Sequence, residues 1–235
     1  MSISGRKFAI TGASRGLGAA LAIVMADRGA RLVLLARDSR MLKGIADTIH
    51  ARTGHSVDVQ QCDLSNTESC AEAGRVLARD HADLDGLIHN GAMWLPGSLA
   101  DIVDAEIQAC ISSAAIGSLI LTRHVLPVLR ARPFADIHTV VSTSGLANAP
   151  LSGTSIAFRA AKAAQDAMVH GLSEELKQTR IRVTAVYPGD FEDLSPLSEA
   201  WDAVRENLTN REVVDSILFT LDLPRNARVR ALVVE

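Results

Sequence analysis

Cysteine is scarce and poorly spaced for cross-linking. Cys62, Cys70 and Cys110 are odd in number and contain no C-x-x-C pair, which excludes a disulfide framework and offers no zinc or other metal site. Three buried free thiols and a reducing, cytoplasmic setting are expected. Basic excess is also missing: the formal net charge is −3, with the charges interspersed, so nucleic acid is not an expected partner. No apolar run approaches the roughly twenty residues of a membrane span, and the N-terminus has no signal-peptide pattern; a soluble protein with no membrane partner is expected. Aromatic residues make up 3%, with one tyrosine. Repeats, low-complexity tracts and interdomain linkers are lacking too. What is present is 48% hydrophobic content in 235 residues, enough for one domain over 1–235 with a sizeable core.

That content is arranged as apolar β-type runs alternating with helical patterns, the strands falling near 7–11, 31–36, 56–60, 85–89, 137–142, 181–186 and 230–234. Such alternation predicts an α/β fold, a doubly wound parallel sheet of about seven strands with helices on both faces. Almost purely apolar strands such as 31–36 suit a sheet covered on both sides. Ligands in such sheets bind beyond the carboxyl ends of the strands. The first strand flows into Thr11-Gly12-Ala13-Ser14-Arg15-Gly16-Leu17-Gly18 and then into a helical pattern from Ala19. Glycines there allow positive φ and close approach of backbone N–H groups to a pyrophosphate at a helix N-terminus.

These residues resemble the T-G-x-x-x-G-x-G signature of the short-chain dehydrogenase/reductase family, and further marks follow in order. They are Cys62-Asp63-Leu64-Ser65, His89-Asn90-Gly91-Ala92, Ser142-Thr143-Ser144-Gly145, Lys162 and Tyr187-Pro188-Gly189. The resemblance runs over nearly the whole chain. It implies a Rossmann fold in which Gly12, Ser14, Arg15, Gly16, Leu17 and Gly18 cradle a nicotinamide dinucleotide. Asp63 and Leu64 would edge the adenine, Asn90 and Gly91 would lie by the adenosine ribose, and Pro188 and Gly189 would border the nicotinamide. The Gly91-Ala92 order reverses the family's usual Ala-Gly, a mild change between small residues. At the end of the second strand the family's acidic position falls on Ala36, and Arg37 follows, with a donor fork suited to a 2′-phosphate. Arg15 is a second cation for that phosphate. NADP(H) is therefore the preferred cofactor and NAD(H) the second choice, with Asp38 a partial offset to Arg37. The family also implies a homodimer or homotetramer through the helix after position 158 and the helix around 117–129.

At the reaction centre the resemblance assigns Ser144 to the substrate oxygen and Lys162 to the cofactor ribose, with Ser142 as the second candidate serine. Positions 158 and 162 share a helix face. The family's tyrosine, however, is Phe158, which has no hydroxyl and moves no proton at any pH. Its asparagine position is Ala114. The threonine expected near 193 is absent from Asp190-Phe191-Glu192-Asp193.

Three readings stand at this point. Phe158 replaces a native tyrosine; or another acid serves, with His89, His124 and Tyr187 as candidates; or the chain binds nucleotide without catalysis, as a sensor or interaction protein. A lyase or isomerase on the same fold is a further alternative. The departures at Ala114 and after Gly189 favour natural divergence over a single change. The expected reaction is hydride transfer between nicotinamide and a carbonyl or alcohol, impaired as written. A loop at about 190–208 would fold over the substrate, its acidic residues discouraging anionic compounds, with Met93, Trp94, Leu95, Leu146, Ala147 and Phe191 as a partly apolar pocket edge.

Overall fold

Residues 2–149 and 153–235 are described by the computed structural model. Seven strands form one parallel sheet: β1 (Lys7–Thr11), β2 (Arg31–Ala36), β3 (Asp58–Gln61), β4 (Gly86–His89), β5 (Ala135–Val140), β6 (Ile181–Pro188) and β7 (Ala231–Val234), in spatial order β3-β2-β1-β4-β5-β6-β7. The helices are α1 (Gly16–Asp27), α2 (Ser39–Thr53), α3 (Thr67–Asp80), α4 (Asp104–Ile111), α5 (Gly117–Ala131), α6 (Ile156–Glu175) and α7 (Asn210–Asp222). The order reverses between β1 and β4, which opens a crevice beyond their carboxyl ends. The expected strands are all present, with ends displaced by up to two residues.

Alternation within the apolar strands sorts the core into two layers. Phe8, Ile10, Leu32 and Leu34 face a cluster built with α1, α2 and α7, while Ala9, Val33 and Leu35 face one built with α3, α5 and α6. β3 is the exception: it is an edge strand with Asp58, Val59 and Gln61 exposed, so covering on both faces does not extend to it. The loop after Gly189 is anchored, with a bridge between Glu192 and Thr209 and Phe191, Trp201 and Leu208 packed on the first cluster.

Residues Asp104–Ala131 form 28 helical residues with an 18-residue window of mean hydropathy 1.4, of which 56% is buried within the protein. The stretch is α4 and α5 joined through a π-helical turn, Ser112–Ile116; charged residues at 104, 106, 123 and 130 interrupt it in the linear pattern.

At the opposite end of the strands from the crevice, Asp136 gathers three guanidinium groups. Arg6 Nη2, Arg182 Nε and Arg225 Nη1 all donate to its carboxylate, and Arg182 also donates to the carbonyls of Leu221 and Leu223. Arg6 and Arg225 stack on Phe134, at 5.3 and 3.9 Å from its ring centroid. Removing one partner from a buried arrangement of this kind costs about 3–5 kcal/mol.

Two histidines in the interior set an acid limit. Burial pushes His89 down to about 4 and His138, beside Asp136 and Arg182, down to about 3. In the unfolded chain both titrate near about 6.5. As pH falls below that value the unfolded state takes up protons that the folded state refuses, so stability is lost down to about pH 4; above pH 7 these groups contribute no slope. His138→Gln is expected to flatten stability against pH between about 6.5 and 4, measured by denaturant unfolding across that range. An unchanged slope would rule out His138 as a source.

Candidate cofactor and reaction site

The crevice is built on a glycine cradle. Gly12 follows β1 with φ +67°, and a Cβ at Gly18 would lie 2.2 Å from the Gly12 carbonyl oxygen and 2.4 Å from Asn90 Nδ2. No side chain fits there. Thr11 holds the crossing point, its hydroxyl accepting from the backbone N–H groups of Asn90 and Gly91 at 3.1 and 3.0 Å. Asn90 Nδ2 donates to the carbonyls of Thr11 and Gly12 at 3.1 and 3.3 Å. The Asn90 amide nitrogen thereby braces the glycine loop. The Gly-Ala order is also less neutral than size suggests. A Cβ at Gly91 would meet Leu64 Cδ1 at 2.7 Å and the Gly12 backbone N at 3.0 Å, so alanine there needs Leu64 and the glycine loop to give.

The first turn of α1 has neither a side-chain cap nor an acidic residue. Its N–H groups and dipole end are left for an anion. Ser14 and Gly16 are half-buried, Arg15 is exposed, and Leu17 is buried beneath the loop in the first core cluster. The cradle fits a dinucleotide pyrophosphate.

Arg37 lies beyond β2, lining a cleft of about 310 Å³ with Gln60, Gln61, Asp63, Ser69 and Glu72. Asp38, expected to offset it, is occupied: its Oδ1 caps α2 by accepting from the N–H groups of Arg40 and Met41. Asp63 Oδ1 accepts from the N–H and hydroxyl of Ser65, and Arg75 donates to Glu72. Three neighbouring carboxylates are thus engaged locally, while the Arg37 fork has no acidic partner among the described residues.

At the nicotinamide end, β5 runs into a 3₁₀ turn, Thr143–Gly145. The Ser142 hydroxyl accepts from Ser144 N–H at 3.1 Å, which commits Ser142 to the turn and leaves Ser144 as the available hydroxyl. Gly145 packs on α6, where a Cβ would come 2.7 Å from the Lys162 carbonyl. Lys162 Nζ donates to the Val140 carbonyl at 3.2 Å and to Gln165 Oε1 at 2.8 Å. Burial lowers its pKa to about 7, with Cys110 nearby. Pro188 ends β6, and the N–H of Gly189, the next residue, donates to the Val234 carbonyl.

Phe158 projects from the same face of α6, with Lys162 Nζ 5.6 Å from its ring centroid. The ring lies in a buried cluster with Leu95, Cys110, Ala114, Ala157 and Ala161. Two of the three departures therefore occupy one apolar region. Met93 borders that cluster, Trp94 is 62% exposed, Ala147 is exposed, Leu146 packs on the second core layer and Phe191 on the first. Only Met93 and Leu95 of the expected pocket edge surround Phe158.

None of the substitute acids is brought to this point. Tyr187 donates to Asp166 Oδ1 at 2.7 Å, and burial raises its pKa. His89 Nε2 shares a 2.8 Å hydrogen bond with Thr122 and is fully buried, while His124 packs on Gly74 of α3. Sequence reasoning missed the bracing role of Thr11, the partnership of Gln165 with Lys162 and the approach of Asp193 to Gly16. The spacing Lys162-x-x-Gln165 was the available signal for the second of these. All three cysteines are free and buried, and no group of three His, Cys, Asp or Glu suited to a metal occurs among the described residues.

The parallel sheet, its switch-point crevice and the glycine cradle define a Rossmann-type nucleotide-binding protein. Residues 6–205 match the model of the short-chain dehydrogenase family, and the chain belongs to that family. It is 25% identical over 226 residues to an uncharacterised oxidoreductase of Staphylococcus aureus (strain USA300), covering 96% of this chain and 94% of the relative. A metagenomic short-chain oxidoreductase solved in complex with NADP superposes with a TM-score of 0.83 at 26% identity, covering 100% of this chain and 98% of that one. The bulky-bulky ketone specific alcohol dehydrogenase of Comamonas testosteroni gives 0.82 at 26% identity, covering 97% and 85%.

Proposed function

We propose that the protein binds NADP(H) and is a short-chain oxidoreductase of low intrinsic turnover acting on a carbonyl or alcohol. The observation that carries the cofactor assignment is the uncapped α1 N-terminus over the glycine cradle, with Arg37 at the end of β2 in no ion pair among the described residues. The relative solved with NADP supports the same nucleotide. When bound, the cofactor supplies the hydride. Ser144 then orients the substrate oxygen by hydrogen bonding, and Lys162 turns its ammonium from Val140 and Gln165 toward the ribose. Its depressed pKa lets it hold or release a proton near neutrality. Phe158 contributes only a dry wall, so the oxygen formed on the substrate receives its proton slowly.

A carbonyl substrate with an apolar flank fits the surroundings of Met93, Leu95 and Phe158. Assembly through α5 and α6 is part of the proposal, supported by exposed Ile116 and Leu119 beside the start of α5 and by Gly171 of α6, where a Cβ would meet nothing. Arg37→Ala is expected to weaken NADP⁺ binding about tenfold while leaving NAD⁺ binding within about twofold, as loss of a charge-assisted phosphate contact does. Calorimetric titration of both nucleotides checks this. Equal losses for the two would refute the assignment of Arg37 to the 2′-phosphate.

A second reading is favoured by the placement of Tyr187, His89 and His124 away from Phe158. With each candidate acid held elsewhere, a nucleotide-binding protein without catalysis accounts for the same cradle. It requires nucleotide binding with no hydride transfer, including after Phe158→Tyr.

A further inference from the structure

Asp193 stands where an anionic ligand would have to go. A Cβ built on Gly16 would lie 3.1 Å from Asp193 Oδ2 and 3.5 Å from Oδ1, which sets the carboxylate against the first residue of α1. That helix end has no acid or cap of its own. A carboxylate brought from another element is therefore its nearest anion.

The placement is built into the backbone on both sides. Glu192 N–H donates to the Leu208 carbonyl and Asn210 N–H to the Glu192 carbonyl, at 3.0 and 2.9 Å. Leu194 N–H donates to Asn210 Oδ1, and Asn210 Nδ2 donates to the Leu194 carbonyl, each at 2.9 Å. Asp193 is held between two pinned residues. Its side chain has weaker ties: Asn210 Nδ2 reaches Oδ1 at 3.4 Å, and Arg15 is the cation that acts on it. Burial outweighs Arg15 and raises the Asp193 pKa. The side chain can rotate while its backbone stays fixed.

We propose that Asp193 is an affinity-limiting residue of the nucleotide site, a tethered anion that the cofactor pyrophosphate must displace from the α1 N-terminus. The inference rests on the cofactor assignment above. A pyrophosphate brings like charge to the same dipole end, so the carboxylate must turn out of the crevice or remain and repel it. Either way, binding is weaker than the cradle alone would give.

The test is calorimetric titration of NADPH and NADP⁺ into the full chain and its Asp193→Asn and Asp193→Thr variants. Removing one unit charge a few ångströms from a phosphate in a solvated crevice is expected to tighten both nucleotides about tenfold. The variant-to-parent affinity ratio should shrink as salt is raised from about 20 mM to 0.5 M, because screening weakens the lost repulsion. Affinities within twofold across the three proteins, or a gain that does not respond to salt, would overturn the Asp193 proposal and leave the cofactor assignment standing. Absence of binding by all three would overturn the assignment and this inference together.

Discussion

Phe158→Tyr is expected to raise hydride-transfer turnover about 10²- to 10⁴-fold, the range a positioned general acid contributes. The substitution adds a hydroxyl on the face of α6 that carries Lys162, whose ammonium is 5.6 Å from the existing ring centroid. The new oxygen must be accommodated beside Ala114, in the buried apolar cluster that surrounds the ring. NADPH consumption with a panel of ketones and aldehydes, before and after the change, measures the effect. Nucleotide affinity should move little, because the cradle and Arg37 are on other strands. A flat response across the panel with intact NADPH binding would remove the oxidoreductase reading and leave the non-catalytic one.

The second large effect is at Gly18. Gly18→Ala drives a methyl to within 2.2 Å of the Gly12 carbonyl and 2.4 Å of Asn90 Nδ2, and both groups belong to the braced crossing of β1 and β4. Backbone displacement there is expected to cost about 1–3 kcal/mol or more in stability and to abolish nucleotide binding. Gly44→Ala is the matched control. A Cβ at Gly44, within α2, meets nothing, so alanine should stabilise by about 0.5–1 kcal/mol through reduced backbone entropy. Thermal unfolding and nucleotide titration of both variants separate the two results. A Gly18→Ala protein that binds NADPH normally would show that the cradle is not the phosphate site.

Much of the architecture was legible because its causes are local. The runs at 7–11 and 31–36 can only be strands between helices, and Gly12, Gly16 and Gly18 mark a close approach. The proposed preference for NADP(H) has an equally local source, since Arg37 follows Ala36 directly. What escaped was set by contacts distant in sequence. Asn90 has the right identity for a ribose contact, and the donation of its amide nitrogen to carbonyls 78 and 79 residues away emerges only in the fold. Asp193 looked like a missing threonine, and only the folded loop, pinned by the pairing of 192 with 209, brings its carboxylate to Gly16 at the start of α1. Tyr187 looked available from its motif, but its hydroxyl already donates to Asp166 on α6.

The arginine cluster on Asp136 has a consequence for how this protein could change over generations. It ties the residue before β1, strands β5 and β6 and the segment after α7 together at the end of the sheet opposite the crevice. Cohesion and chemistry therefore draw on separate sets of residues. Substitutions at positions 158 and 114 leave that anchor untouched, so the requirement to fold places little constraint on either residue. The scaffold tolerates drift in its reaction while keeping its shape, which makes the end holding Phe158, Ala114 and Asp193 the place where a new activity could be installed.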